Sequence, residues 1–477
     1  MLKKVINPIL FLPIALFFNS PDLLPNEKKV LIDQVSEKKS NKPFISYSEI
    51  ENNVLNNEEL KSLQNLVTSA SFNLSSKISQ RYPSLDFQAN GLPKYVWGKN
   101  FNSNSQTLKT SQFSANPSVN IKLDLIEPLR GYDIKIAKES FKIAKNNYEI
   151  KKKDLIKEAK IRYHKYQKSY QEILNKQFTL DLSMTSLNNA EAKLDAGIGT
   201  KFEVLEAEAQ LSRDEQSLLE KKIEHEINKI SLKEILNIKG DFEINGEQTL
   251  IGFWKHKLNK NINEGLAQNL SLKNLLLQES IKKSQANSFL AQNKPKIYIS
   301  NTFSSIFSKG DSLSTNIDSE EYGSNYTNTL SLNFAWSVFN GGQNKNSYKS
   351  KLADAAAEEF AYKNLKNVLK TNISKAYLNL KLNEEKIIST LKEIESSEES
   401  LRLSRLRYDV GISTLKDVLV RQSELSNAKS KNISAVYNYN LNLNELERLT
   451  FLEISKNCIK NDNNKINDKA SICNIPR

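Results

Sequence analysis

The side chains best suited to chemistry are few and scattered. The three histidines, His164, His225 and His256, stand too far apart to share one metal by local spacing. The acidic pairs Glu358-Glu359 and Glu384-Glu385 lie in charged runs and carry no sign of a buried acid and base acting together. No Gly-x-Ser-x-Gly, no glycine-rich phosphate loop and no His-Glu-x-x-His occurs. The expectation is a protein that is not an enzyme and uses no cofactor or metal. The two cysteines, Cys458 and Cys473, are 15 residues apart in the C-terminal tail. Two thiols alone do not make a zinc site. In an exported protein they are expected to pair, closing a loop worth about 3 kcal/mol in the chain-entropy model; two free thiols are the alternative.

The elements that carry the chain's function must therefore be sought in its architecture. The 477 residues contain 14 glycines and 11 prolines, well under ordinary usage. That scarcity argues against a loop-rich all-β fold and for long unbroken helices. The net charge is +13, but lysine and glutamate are interleaved, as in Glu220-Lys221-Lys222-Ile223-Glu224. Such mixing describes a solvated helix face, and no nucleic-acid partner is expected. Near the N-terminus Lys3 and Lys4 precede a largely apolar stretch, 5–18, which suits a secretory signal and is short for a membrane span. No cysteine follows it to carry a lipid anchor.

Three landmarks then recur at nearly one offset. Pro83 and Pro295, each ending a helical stretch and opening an alternating one, are 212 residues apart. Gly131 and Gly342, each opening a long helical run, are 211 apart. Asp195-Ala196-Gly197-Ile198-Gly199-Thr200, then Val204-Leu205, matches Asp409-Val410-Gly411-Ile412-Ser413-Thr414, then Val418-Leu419, at an offset of 214. The chain is a duplicated domain. Each copy reads helix, strand, loop, strand, long helix, turn, helix. Leu85, Phe87 and Ala89 alternate with polar residues, as do Val119, Ile121, Leu123 and Leu125, and Leu330, Leu332, Phe334, Trp336 and Val338. The stretch 296–304 is weaker, because Tyr298 interrupts its polar face. Segments 98–117 and 309–328 read as polar loops between paired strands. Leu365, Leu369, Ile373, Ala376, Leu380, Asn383, Ile387, Leu391 and Ile394 form one helical stripe.

The lengths agree with one another. Helices over 132–196 and 343–410 each reach about 100 Å at 1.5 Å per residue. Two shorter helices, 201–238 and 262–294, stacked end to end match that height, and so do 415–449 and 48–82.

This arrangement resembles the TolC family of outer-membrane efflux proteins over roughly 46–451. The resemblance rests on Tyr408-Asp409-Val410-Gly411-Ile412-Ser413-Thr414-Leu415-Lys416-Asp417-Val418-Leu419, its echo at 193–205, Trp336-Ser337-Val338-Phe339-Asn340-Gly341-Gly342, and Ala435-Val436-Tyr437-Asn438-Tyr439-Asn440-Leu441. It implies a mostly α fold with a small β part: long coiled-coil hairpins and four transmembrane strands per chain. Three chains would form a homotrimer with a 12-stranded barrel in outer-membrane lipid, on an α-helical periplasmic tunnel of a Gram-negative-type cell. Elementary physics agrees on one point, because four strands cannot close a barrel and open edges are not tolerated in lipid. The implied function is passive conduction, as the exit duct of an efflux pump or type I secretion system. The implied partners are a periplasmic adaptor of the membrane-fusion type and an inner-membrane ABC or RND transporter.

The resemblance also assigns residues. The helical turns would form the periplasmic entrance, with Gly197, Thr200, Tyr408, Gly411 and Thr414 shaping the tip and docking the adaptor. Glycine suits a turn needing positive φ, and Thr200 and Thr414 are placed to cap the returning helices. Acidic side chains just past the turn close the entrance in the family. Asp417 holds the first such position and Val420 departs from the second, with Arg421 beside it. Glu203 and Glu206 are the first-repeat equivalents. The expected organisation is a signal peptide (1–20), a linker (21–45), a first repeat (46–245), a second repeat (246–451) and a periplasmic tail (452–477). The competing class is an exported coiled-coil spacer or adhesin whose strands make a soluble sheet.

Overall fold

The computed structural model describes residues 45–101, 107–244, 246–311 and 322–456. The expected signal, most of the linker and both cysteines lie outside them. The described residues open with a 3-10 turn, Tyr47–Glu49, then α1 (Ile50–Val54) and α2 (Glu58–Ser79). The hairpin of β1 (Ser84–Phe101) and β2 (Thr107–Ile126) leads into α3 (Arg130–Asp195), which turns into α4 (Lys201–Ile235). The second copy follows: α5 (Leu258–Gln268), α6 (Leu270–Ala291), β3 (Lys296–Asp311), β4 (Tyr322–Ala335), α7 (Gln343–Asp409) and α8 (Leu415–Thr450). The two long helices have 66 and 67 residues, about 100 Å each.

Two expected helices are each broken once, and the cause is asparagine. Asn57 Oδ1 accepts from Glu59 N at 2.9 Å, and Asn269 Oδ1 from Leu272 N at 3.0 Å. Each asparagine takes an extended backbone and starts a new helix as its N-cap, so 48–82 and 262–294 are not continuous. The expected loops are also mostly strand. Pairing of β1 with β2 continues to Phe101 opposite Thr107, and that of β3 with β4 to Lys309 opposite Tyr322. Those stretches lack an apolar alternation, but their backbone groups still complete the ladder.

The four strands form one antiparallel sheet in the order β1-β2-β3-β4. Register sorts its faces. Leu85 lies opposite Ile121, Phe87 opposite Val119, Leu123 opposite Ile299, and Ile299 opposite Leu332. The other face carries Gln88, Ser118, Asn120, Thr302, Ser304 and Thr327, with Thr302 Oγ1 donating to Asn120 Oδ1 at 3.0 Å. Tyr298 falls on this polar face, where its ring stacks under the Lys122 ammonium, 4.7 Å from the centroid.

The helices pack along their length in three separate apolar clusters. One joins Ile50, Val54 and Leu60 to Leu155, Tyr163, Leu232 and Phe242 in the midsection. A second joins Leu380 and Ile387 of α7 to Tyr439 and Leu443 of α8. The third lies at the hairpin tips. Along α7 the expected stripe is buried from Leu369 to Ile387, but then it drifts. Leu391 is exposed and Thr390 is buried in its place, donating to Lys386 O at 2.8 Å.

Candidate functional site

Both turns end their helices the same way. Gly197 and Gly411 have φ of 75° and 79°, the left-handed conformation that glycine takes without a side-chain penalty. Ile198 N donates to Lys193 O at 2.9 Å, and Ile412 N to Arg407 O at 2.8 Å. Gly197 N reaches Leu194 O, and Gly411 N reaches Tyr408 O. These are Schellman closures, which satisfy the last carbonyls of α3 and α7.

The returning helices start on capping boxes. Thr200 Oγ1 accepts from Glu203 N, and the Glu203 carboxylate accepts from Thr200 N, each at 3.3 Å. At the second turn Thr414 Oγ1 accepts from Asp417 N at 3.3 Å, and Asp417 Oδ2 accepts from Thr414 N at 3.2 Å. Asp417 Oδ2 also accepts from Ser413 Oγ at 2.7 Å and Thr414 Oγ1 at 3.0 Å. Donation by the Ser413 hydroxyl, then by Thr414, holds the Asp417 carboxyl below the usual aspartate range. Two of the three acids singled out for the entrance, Glu203 and Asp417, therefore double as helix caps. Thr-x-x-Glu and Thr-x-x-Asp are readable signals for this second role, which sequence reasoning left unused. Arg421 is turned onto Glu424, Nη1 to Oε2 at 2.6 Å. Glu206 is half-buried within α4, and its carboxylate makes no hydrogen bond or ion pair among the described residues.

The two tips are tied together. Lys193 Nζ donates to Tyr408 O at 2.7 Å and sits 3.4 Å from the Tyr408 ring centroid. Tyr408 is buried, and its hydroxyl has no hydrogen-bond partner among the described residues. Burial pushes its phenol pKa up, and the charges of Glu203 and Asp409 add to the effect. It belongs to the apolar cluster that also holds Val204, Ala207, Leu401, Leu415, Val418 and Leu425. Beyond this core Ile198, Phe202, Val410 and Ile412 remain exposed at the turns. Lys193 is a functional candidate that sequence reasoning missed.

A polar seam continues from the tip between α3 and α8. Asn175 Nδ2 donates to Ser426 O at 2.9 Å and Ser430 Oγ at 3.0 Å. Thr179 Oγ1 meets Ser426 Oγ at 3.0 Å. Gln422 Nε2 donates to Thr179 O at 3.0 Å and Ser183 Oγ at 2.6 Å. Small polar residues repeat every four positions on both helices, a pattern visible in sequence once the two helices are known to be neighbours.

The histidines stay apart. Burial draws His164 down to about 4, with Nδ1 facing Gln167 Oε1 at 3.1 Å. His225 Nδ1 lies 2.9 Å from Ser169 Oγ, and His256 stands edge-on to Trp254. Among the described residues no group of three or more His, Cys, Asp or Glu side chains is placed to hold a metal. No helix among them is long and apolar enough to cross a membrane.

The family model described as outer membrane efflux protein matches residues 50–237 and 261–450. No curated protein matches the sequence. Among solved structures, the chain is similar to CusC, with a TM-score of 0.73 and 15% identity, over 87% of this chain and 95% of that one. It is similar to VceC of Vibrio cholerae at a TM-score of 0.70 and 14% identity, over 85% and 96%. It is also similar to the open-state MtrE channel of Neisseria gonorrhoeae, at 0.68 and 15%, over 87% and 95%. At these identities the likeness is one of fold.

Proposed function

Because the chain belongs to the outer membrane efflux protein family, we propose that it is the trimeric exit duct of a tripartite efflux pump or type I secretion system. In this reading it conducts small molecules or polypeptides passively from periplasm to exterior. One observation carries the reading. The sheet has apolar residues along one face and polar residues along the other, and it ends at β1 and β4 with one edge of each unpaired among the described residues. In lipid those edges need partners, and further copies of the same sheet supply them in an all-antiparallel closure. Three copies would give a 12-stranded barrel with the polar face toward water. A second support is the outer face of α4, where Leu219, Ile223, Ile227 and Ile230 are exposed on one stripe, fit for a neighbouring copy.

The tips would then be the periplasmic entrance. The exposed Ile198, Phe202, Val410 and Ile412 favour docking of a periplasmic adaptor there, and an inner-membrane ABC or RND transporter would supply the driving force. Asp417, with Glu203 and Glu206, would set the charge of the entrance. In the tail, Cys458 and Cys473 would pair after export. The test is purification in mild detergent followed by planar-bilayer recording. A trimer that opens discrete aqueous conductances is expected. A monodisperse monomer extracted without detergent would favour the spacer reading instead.

A further inference from the structure

Segment 45–54 packs on α3 in the midsection, and a histidine lies beneath it. Ile50 and Val54 are fully buried, in the cluster that holds Leu155, Ala159 and Tyr163. The Tyr47 ring lies 5.3 Å from that of His164 and 5.6 Å from that of Tyr163. The Tyr47 hydroxyl donates to Asn444 Oδ1 of α8 at 2.8 Å. Lys160 Nζ completes the fastening, 2.9 Å from Glu51 Oε1 of α1 and 3.0 Å from Glu447 Oε2 of α8. His164 itself is 1% exposed.

Hydrogen bonding decides where the imidazole carries its proton. Gln167 Nε2 donates to Glu247 O at 2.7 Å, so the other end of that amide, Oε1, faces His164 Nδ1 at 3.1 Å. A carbonyl oxygen only accepts, and the proton is therefore on Nδ1. His164 Nε2 is left as a bare lone pair, buried without a hydrogen-bond partner among the described residues. Protonation would put an N–H and a positive charge there with no acceptor to meet them. Lys160, one turn back on α3, is the charge that acts on the ring, and it opposes a second one. Glu51 and Glu447 face the Lys160 ammonium, while Glu243 and Glu247 contribute backbone oxygens to Ile45 N and Gln167 Nε2. Burial thus draws the imidazole from its ordinary 6.5 down to about 4.

We propose that His164 is an acid-sensitive latch: when Nε2 takes a proton, segment 45–54 lifts from α3 so that the imidazolium reaches water. Lifting gives up the bond from Tyr47 to Asn444 and the pair between Glu51 and Lys160, and it uncovers Ile50 and Val54. The direction follows from the two protonation equilibria. With the segment lifted the ring titrates near 6.5, and with it closed near 4. Closure is therefore fully supported above pH 6.5, and that support is lost as pH falls from 6.5 toward 4. The joint where α1, α3 and α8 meet loosens in acid. This inference goes beyond the duct reading and does not depend on conduction.

The test is hydrogen exchange of the full protein in uncharged detergent at pH 7.0 and 5.5, corrected for intrinsic exchange. At pH 5.5 ordinary carboxylates are still ionised, so the histidines are the side chains that change. Protection of the amides from Tyr47 to Val54 should fall by about tenfold between the two pH values. His164→Phe keeps a ring in the site but takes no proton, and the fall should vanish. His164→Gln repeats the test with a side chain that still donates to Gln167, so the result does not hang on one variant. His225→Gln, on α4, should keep the full pH response. A wild-type segment whose protection is the same at both pH values would overturn the latch. So would a response that survives in the His164 variants, because another group would then be the sensor. A fall spread equally over α3, α7 and α8 would show general acid loosening in place of a local release, and would overturn it as well.

Discussion

The two hairpin tips share a backbone and differ in how they support it. At the first, Gly199 N donates to Lys193 O at 2.8 Å, and a Cβ on Gly199 would lie 2.8 Å from Leu194 N and 2.9 Å from Lys193 C. At the second, Ser413 occupies that place, and its amide reaches Arg407 O at 3.2 Å. The looser turn makes room for a side chain, and the Ser413 hydroxyl then adds a hydrogen bond to Asp417. The first tip relies on close backbone approach; the second relies on hydrogen bonds converging on one carboxylate. Duplicated turns can therefore keep one shape through different compensations, and a residue tolerated in one copy is not tolerated in the other.

The largest break in this comparison should come from the shared element. No heavy atom beyond the adjoining residues lies within 4 Å of a Cβ built on Gly197 or Gly411, so their cost of substitution is purely that of positive φ. Gly411→Val should cost about 1–3 kcal/mol, and Gly197→Val about the same. Hydrogen exchange of tip amides should rise tenfold or more by the same principle, and export should fall while assembly persists. Loss of assembly with normal export per trimer would show that this turn is not the entrance. Next comes the position where the tips differ. Gly199→Ser should cost about 1–3 kcal/mol through overpacking, whereas Ser413→Gly should cost about 0.5 kcal/mol, since the lost bond is solvent-exposed. Equal exchange rates in these two variants would remove the distinction between the copies.

A smaller effect is expected where the tips meet. Lys193→Met removes the bond to Tyr408 O and the cation over its ring but keeps the aliphatic stem. It should weaken the coupling of the tips by about 1–2 kcal/mol. Tip amides of both hairpins should then exchange faster together, because Lys193 belongs to α3 and Tyr408 to α7. A change confined to one hairpin would count against Lys193 as a tie.

How much of this was visible in the sequence depends on how local the cause is. The long helices and the two faces of the sheet follow from periodicity, and the turns follow from glycine and threonine at fixed offsets. Asn57 and Asn269 broke two expected helices because a cap competes with helix continuation only when its side chain turns back to the backbone. The strands outran their apolar alternation because ladder bonds do not depend on side-chain polarity. The tie between Lys193 and Tyr408 joins residues 215 apart, and its ring contact has no sequence period. Leu391 illustrates the same limit: a single stripe was extrapolated past the point where α7 turns Thr390 to its neighbour.

The smallest structural effect should come from the carboxylates, and it separates their two roles. Asp417 is exposed, and its folded pKa lies below the ordinary value of 3.8. The cap's contribution is therefore complete above that value and is lost as pH falls through the lower folded pKa. At neutral pH the group is both a cap and a negative charge. Asp417→Asn removes the charge but keeps an oxygen that accepts from Ser413 and Thr414. The helix start should lose only the small part owed to charge at a helix N-terminus, which solvent screens at this exposed site. If three such carboxylates line a narrow entrance, they concentrate cations there, and their loss is felt in conduction far more than in stability. Single-channel reversal potential under a salt gradient should shift toward zero for Asp417→Asn. It should shift less for Glu203→Gln, whose charge stands at the other tip. Unchanged potentials in both, with the caps intact, would make these residues helix caps alone. A shift in Glu203→Gln only would move the charged ring from the second repeat to the first.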